Sequence, residues 1–256
     1  MGYTKELEFI VNQIKLAYNK FGKADFSVSQ KASFDLVTDI DKAIEKEISN
    51  AIKKEFPTDI ILGEEFSEGV IPSGRTWTID PIDGTVNFAH ASKFFGVQCS
   101  LIDNGEVVLG VIYLPNFNEW FTAEIGKGSF CNGKKISVQK APKEQAIFSF
   151  GDFSRKFPHL ADKQYLAIGK LYKEIMRIRM FGGSCLDFSS LACGRIHGTV
   201  LITRNLWDLL PGIIIVKEAG GVVKNIYGKD YRLGDDGVIA TSTNELCDLL
   251  VSAIND

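Results

Sequence analysis

Apolar residues return at helical intervals near the start of the chain: Leu7, Ile10, Val11, Ile14, Ala17, Tyr18 and Phe21. That spacing predicts an amphipathic helix closed near Gly22. A polar stretch holding Lys31 follows. Residues 35–41 then lead into a second helix with Ile44, Ile48, Ala51 and Ile52 on one face. Thr38 and Asp41 stand ahead of it at the interval of a capping box. Short apolar runs come next. Residues 59–62 read as a strand delivering Gly63-Glu64-Glu65, and residues 76–79 as a strand delivering Asp80-Pro81-Ile82-Asp83-Gly84-Thr85. Residues 67–74 read as a flexible loop. From Phe94 to Val138 the period shortens. Residues 97–102, 107–113, 120–123 and 129–131 are strand-like, with hairpin turns at Asn104-Gly105 and Asn132-Gly133. This predicts an antiparallel meander.

A boundary is expected near residues 142–146, dividing the chain into 1–142 and 143–256. Beyond it strands and helices alternate. Strands are expected at 148–150, 178–181, 198–202 and 238–240, and helices at 160–174, 186–193 and 245–254. A further helix should end at Gly220-Gly221. Proline is tolerated in the first turn of a helix, so Pro211 places the start of that helix near Trp207-Asp208. The first part is α+β and the second α/β, stacked as layers of helix and sheet.

Composition narrows the function classes. The 256 residues can bury an ample core in one large domain or two packed subdomains. A net charge of −3, with no run of Lys and Arg, gives no electrostatic footprint for direct nucleic-acid binding. The longest apolar runs are too short to span a bilayer, and residues 1–9 lack the apolar core of a signal peptide. The five cysteines are scattered without a Cys-x-x-Cys pair, which fits reduced thiols in a cytoplasm better than a disulfide or zinc framework. The three histidines form no metal-binding pair.

Candidate chemistry gathers at Asp80–Thr85. Pro81 holds Asp80 extended and ends the strand with a carboxylate at its tip. Asp83 follows after a forced turn, Gly84 permits close approach of a ligand, and Thr85 opens a helical segment. Paired carboxylates with carbonyls suit Mg²⁺, and a helix N-terminus suits phosphate. An ordinary Pro-Asp-Gly turn is the plainer alternative. Elsewhere the alternatives also stand side by side. Asp41 is a helix cap or a group near a reacting water. Glu64 is part of a solvated acidic loop or a strand-end ligand. Asp208 is a dipole-favoured first-turn carboxylate or a metal ligand.

The order Asp41, Gly63-Glu64-Glu65, Asp80–Thr85, Trp207-Asp208, then eleven residues and Gly220-Gly221, resembles the inositol monophosphatase family. That family lies within the Mg²⁺-dependent, lithium-sensitive sugar and nucleotide phosphatases. The resemblance implies a layered αβαβα sandwich of the inositol monophosphatase/fructose-1,6-bisphosphatase type, with the site between the two parts. It implies a homodimer and two or three Mg²⁺ ions per site. Glu64, Asp80 and the Ile82 carbonyl are then ligands of one ion, and Asp80, Asp83 and Asp208 of a second. Glu64 helps a third. The first part thus carries most of the ligands and the second supplies Asp208.

The resemblance also implies that Asp41 and Thr85 orient and deprotonate the attacking water, and that the N–H groups of Gly84 and Thr85 bind phosphate. It sets Gly183 and Ser184 beside the sugar, and Lys31 near the water network. Members that prefer inositol carry Glu six residues before the Trp, where this chain has Leu201. The implied substrate is a small phosphorylated polyol, inositol monophosphate foremost. The 2′-phosphate of NADP(H) and fructose 1,6-bisphosphate are alternatives, as is a regulatory partnership with the transcription and translation machinery.

Overall fold

Two long helices open the chain: α1 (Thr4–Phe21) and α2 (Asp39–Glu55). The computed structural model describes residues 2–24, 27–32, 35–67 and 73–256, without the side chains of residues 31, 32, 35 and 36. The Lys31 side chain and most of the expected loop at 67–74 therefore lie outside the described residues. Between the helices, β1 (Val28–Ala32) pairs with β2 (Asp35–Thr38) as a small antiparallel sheet. The apolar face of each helix follows the spacing in the sequence. Ile10, Ile14 and Ala17 of α1 and Ile44, Ile48 and Ile52 of α2 are fully buried.

They cover one face of a seven-stranded sheet. Its strands are β3 (Ile60–Gly63), β4 (Thr76–Asp83), β5 (Gly96–Asp103), β6 (Glu106–Leu114), β7 (Glu119–Glu124), β8 (Gly128–Cys131) and β9 (Lys134–Ile136), neighbours in that order. β3 is parallel to β4, and the rest form the expected meander. The turns at Asn104-Gly105 and Asn132-Gly133 take positive φ at both residues, as tight hairpins require.

β4 departs from expectation. It does not stop at Asp80 but runs through Pro81 to Asp83. Asp80 faces Gln98 of β5 and Asp83 faces Gly96, so three steps on one strand oppose two on the other. The bulge accommodates the proline, and β3 has already ended opposite Ile79.

The chain continues through a short helix, α3 (Thr85–Ala89). The second part then builds β10 (Ile147–Phe150), α4 (Pro158–Leu171), β11 (Arg177–Arg179), α5 (Ser184–Ala192), β12 (Gly198–Leu201), α6 (Leu206–Glu218), β13 (Val222–Asn225), β14 (Val238–Thr241) and α7 (Asn244–Asn255). Its sheet has the order β11-β10-β12-β14-β13. β10 is parallel to both its neighbours, while β14 is antiparallel to both of its own.

α5 and α6 lie between the two sheets. Phe188, Leu210 and Ile214 join one core with Ile112 and Phe121 of the large sheet and Val238 and Ala240 of the small one. α4 and α7 cover the outer face of the small sheet through Leu160, Leu250 and Ile254. The layers read helix, sheet, helix, sheet, helix, as expected. α6 is buried nearly all round, which explains how it tolerates Pro211 as its sixth residue. The helix begins at Leu206, and the proline leaves the Trp207 carbonyl without its helical donor. Packing between two sheets outweighs that loss. At the other end Gly220, at φ 84°, closes the helix. Its N–H reaches Lys217 O at 3.0 Å and that of Gly221 reaches Val216 O at 2.9 Å. Among the described residues, no helix is long and apolar enough to cross a membrane.

Candidate active site

Six element ends carry the singled-out residues. β3 and β4 run parallel, and the Glu64 N–H bonds Ile79 O at 3.1 Å just past the end of β3. Glu64 is thereby set beside Asp80. The Asp80 side chain is 1% exposed. Its Oδ2 accepts from Gln98 Nε2 at 3.4 Å, and among the described residues its Oδ1 has no hydrogen-bond partner. Burial pushes the Asp80 carboxyl well above the usual range, and the charges of Glu64, Asp83 and Asp208 push it further.

Asp83 turns toward the start of α5. Its carboxylate accepts from Ser184 N at 3.2 Å, from Ser184 Oγ at 3.0 Å and from the Cys185 N–H. Burial raises its pKa, and these bonds from Cys185 and Ser184 hold the rise back. Asp208, in the first turn of α6, accepts from Asn205 Nδ2 at 3.1 Å and from Thr203 Oγ1 at 3.4 Å. Its backbone carbonyl lies 2.8 Å from Ser184 Oγ. Ser184 thus links the two parts of the chain.

Asp41 is a helix cap, one of the two alternatives left open for it. Its Oδ2 accepts from Thr38 N at 3.0 Å and from the Thr38 hydroxyl, completing the capping box of α2. Its Oδ1 faces Thr85 Oγ1 at 3.4 Å. One oxygen caps the helix and the other faces the site. Burial lifts its pKa to about 6 against the pull of the Thr38 bonds. Thr85 Oγ1 also reaches Ile82 O at 2.9 Å. Gly84 takes a left-handed φ of 88°, and a Cβ there would lie 2.9 Å from Phe94 O. Only glycine turns the chain here.

A cavity of about 190 Å³ opens beside Asp83 and Asp208, with Gly183, Ser184, Asp187 and Leu201 in its walls. Gly183 and Ser184, expected at a substrate, do line it.

Two neighbours escaped the sequence reading. Gln98 Nε2 donates to Ser184 Oγ at 2.8 Å and reaches Asp80. A glutamine inside the apolar strand β5 was the available signal. Glu45 Oε2 accepts from Glu65 N at 2.8 Å, and its carboxylate fills the space that a side chain at Gly63 would need. It lies one helical turn after Asp41, on the buried face of α2.

The donor set fits a hard divalent cation. Asp80 is buried, feels the charges of Glu64, Asp83 and Asp208, and keeps one oxygen without a hydrogen-bond partner among the described residues, as a cation's ligand would. Among the described residues, no three acidic, His or Cys side chains are gathered closely enough to hold a metal ion as they stand.

The family model described as inositol monophosphatase matches residues 6–256. The chain is 37% identical over 242 residues to the fructose-1,6-bisphosphatase/inositol-1-monophosphatase of Thermotoga maritima, covering 92% of this chain and 89% of that protein. It is 36% identical over 213 residues to the Nus factor SuhB of Salmonella typhimurium, covering 83% and 80%. The fold matches the Thermotoga maritima IMPase structure with a TM-score of 0.85 at 33% identity, over 98% of this chain and 96% of that one.

Proposed function

The chain belongs to the inositol monophosphatase family, and we propose that it is a Mg²⁺-dependent phosphomonoesterase of a small phosphorylated polyol, inositol monophosphate foremost. The observation that carries this reading is the buried Asp80, on which the charges of Glu64, Asp83 and Asp208 act, together with the Asp41–Thr85 pair.

In this reading Glu64, Asp80 and the Ile82 carbonyl would hold one Mg²⁺, Asp80, Asp83 and Asp208 would hold a second, and Glu64 would assist a third. Bound Mg²⁺ would neutralise the phosphate and acidify a water. The protein's own groups do the rest. Thr85 Oγ1 stands between Ile82 O and Asp41 Oδ1, so it can hold a water's proton and pass one to Asp41. Asp41 is tuned toward neutral pH, where a general base works best. The N–H groups of Gly84 and Thr85, at the turn into α3, receive the phosphate. The bonds from Ser184 and Cys185 fix the orientation of Asp83. Burial and the nearby Asp83 keep the Cys185 thiol protonated, so water is the nucleophile.

The cavity supports a compact substrate, because about 190 Å³ is below the ~300–1,000 Å³ typical of sites that enclose drug-sized ligands. Fructose 1,6-bisphosphate remains the first alternative, on the description of the Thermotoga relative, and the 2′-phosphate of NADP(H) the next. Phosphate release with Mg²⁺, repeated with Li⁺, from inositol 1-phosphate, fructose 1,6-bisphosphate and NADP tests the reading. No turnover of any of them by folded, Mg²⁺-loaded protein would sink it.

Regulation is a second reading, favoured by the 36% identity to a Nus factor. Capture of RNA polymerase by the tagged protein would support it. A homodimer in the cytoplasm completes the proposal. Phe94 and Phe117 stack at 6.1 Å, both more than two-fifths exposed, as a subunit contact would need. The five cysteines are all free, as a reducing compartment would keep them.

A further inference from the structure

Asp187 is a residue that the mechanism above does not use. It lies on α5 one turn beyond Ser184, and i, i+3 residues share a helix face. It is fully buried, yet it lines the same cavity as Ser184, Leu201 and Asp208. Among the described residues neither of its carboxyl oxygens has a hydrogen-bond partner. Ser149 is close enough to draw its pKa down, but its hydroxyl is turned toward Thr199 Oγ1 at 2.9 Å. A buried carboxyl without partners costs about 1–3 kcal/mol or more. A core position with no ligand to meet would be better filled by an apolar side chain.

We infer that Asp187 is a specificity-determining residue, whose carboxyl at the inner end of the cavity hydrogen-bonds a hydroxyl of the substrate's polyol part. This rests on the phosphatase reading and extends it from the phosphate to the sugar side. Leu201, also in the cavity wall, can offer a hydroxyl nothing but apolar contact. The polar work there falls to Asp187.

The state of the carboxyl suits that partner. Burial first, then the charges of Asp83 on β4 and Asp152 just after β10, push its pKa up to about 8 against the pull of Ser149. Near neutral pH it is protonated and can both donate and accept. A hydroxyl has the same two capacities. A cation would find no charge there, which separates Asp187 from the ligand group around Asp80.

The test is competition between an inositol monophosphate and phenyl phosphate, which has no hydroxyl on its ring. Asp187→Val removes both hydrogen-bonding atoms, and Asp187→Asn keeps two. The expected result is a preference for the inositol ester, as a ratio of kcat/KM, that falls about tenfold in the Val variant, chiefly through KM. The Asn variant should keep it within about threefold. The Val variant should unfold at the same temperature or higher, since it replaces an unpaired polar group. An unchanged preference, or a parallel loss on both esters, would overturn the inference.

Should the Val variant not fold, monodeoxy inositol phosphates carry the test with the unsubstituted enzyme and Asp187→Ala. The expected result is one hydroxyl whose deletion costs about tenfold in the former and clearly less in the latter. Equal costs at every hydroxyl would overturn the assignment. Absence of turnover of both esters by the unsubstituted, Mg²⁺-loaded enzyme would overturn the phosphatase reading itself.

Discussion

Asp80 and Asp187 are both buried, and both keep carboxyl oxygens without a partner among the described residues. Their surroundings differ. Asp80 ends the regular part of β4 amid Glu64, Asp83 and Asp208. Asp187 sits inside α5 with Asp83 and Asp152 only as secondary influences on its proton. Burial leads in raising both pKa values. The difference is what could remove the cost. A cluster of like charges around Asp80 is relieved by a cation, whereas protonation alone suffices for Asp187. Burial identifies neither site by itself. The company of each carboxylate does.

The largest expected effect follows at Asp80. Asp80→Asn replaces the carboxyl on which Glu64, Asp83 and Asp208 act, and Mg²⁺-dependent phosphate release should fall on the order of 10³-fold or more, about 4 kcal/mol of barrier. The fold should survive, because the change relieves repulsion. Asp187→Asn should stay within about tenfold of the unsubstituted rate. Equal losses in the two variants would erase the distinction.

Chelated protein separates carboxylates by pH. A buried acid with a raised pKa binds more protons folded than unfolded, so stability is greatest below the unfolded pKa and falls as pH rises toward the folded one. For Asp41 the window is about pH 4 to 6, worth about 3 kcal/mol. For Asp187 the decline continues to about pH 8. Asp41→Asn should flatten the lower window and Asp187→Asn the upper part, read as urea midpoints across pH. A flat profile in the unsubstituted protein would contradict both placements.

Mg²⁺ itself should discriminate next. A cation bound to the folded state alone stabilises it by about 2.7 kcal/mol at a hundred times its Kd. The unsubstituted protein and Asp187→Asn should both show that gain on thermal unfolding, and Asp80→Asn should lose it. Full stabilisation of Asp80→Asn by Mg²⁺ would place the ion elsewhere.

These contrasts were unevenly legible in the sequence. The helical spacing of Ile10, Ile14, Ile44 and Ile48, and the Asn-Gly turns of the meander, are local signals, and the structure follows them. The strand-then-carboxylate pattern at Asp80 was also local, although the run of β4 through Pro81 was not. That run depends on a bulge against β5 and on where β3 stops. β9 and β13 went unseen because Lys134, Lys135 and Lys224 break the apolar pattern at the two sheet edges. Pro211 placed the start of α6 near Trp207-Asp208, and the helix does begin there, at Leu206. Gln98, Glu45 and Asp187 are polar residues on buried faces. Their meaning depends on which other segments fold against those faces, and no spacing along the chain encodes that.

Glu45 gives the smallest effect and the finest division between the two regions. It touches neither of the compared carboxylates, but its Oε2 accepts the Glu65 N–H at 2.8 Å and so holds the turn that presents Glu64. Asp187 has no equivalent support from α2. Glu45→Gln keeps size and polarity while weakening a charge-assisted bond. The expected result is a Mg²⁺ affinity about tenfold weaker, at the low end for groups that orient metal ligands, with the preference among hydroxylated esters unchanged. Calorimetric titration of Mg²⁺ and the ester competition read the two separately. A shift in ester preference with Mg²⁺ affinity intact would mean that α2 supports the sugar side, and the ligand group around Asp80 would no longer be the only one it orients.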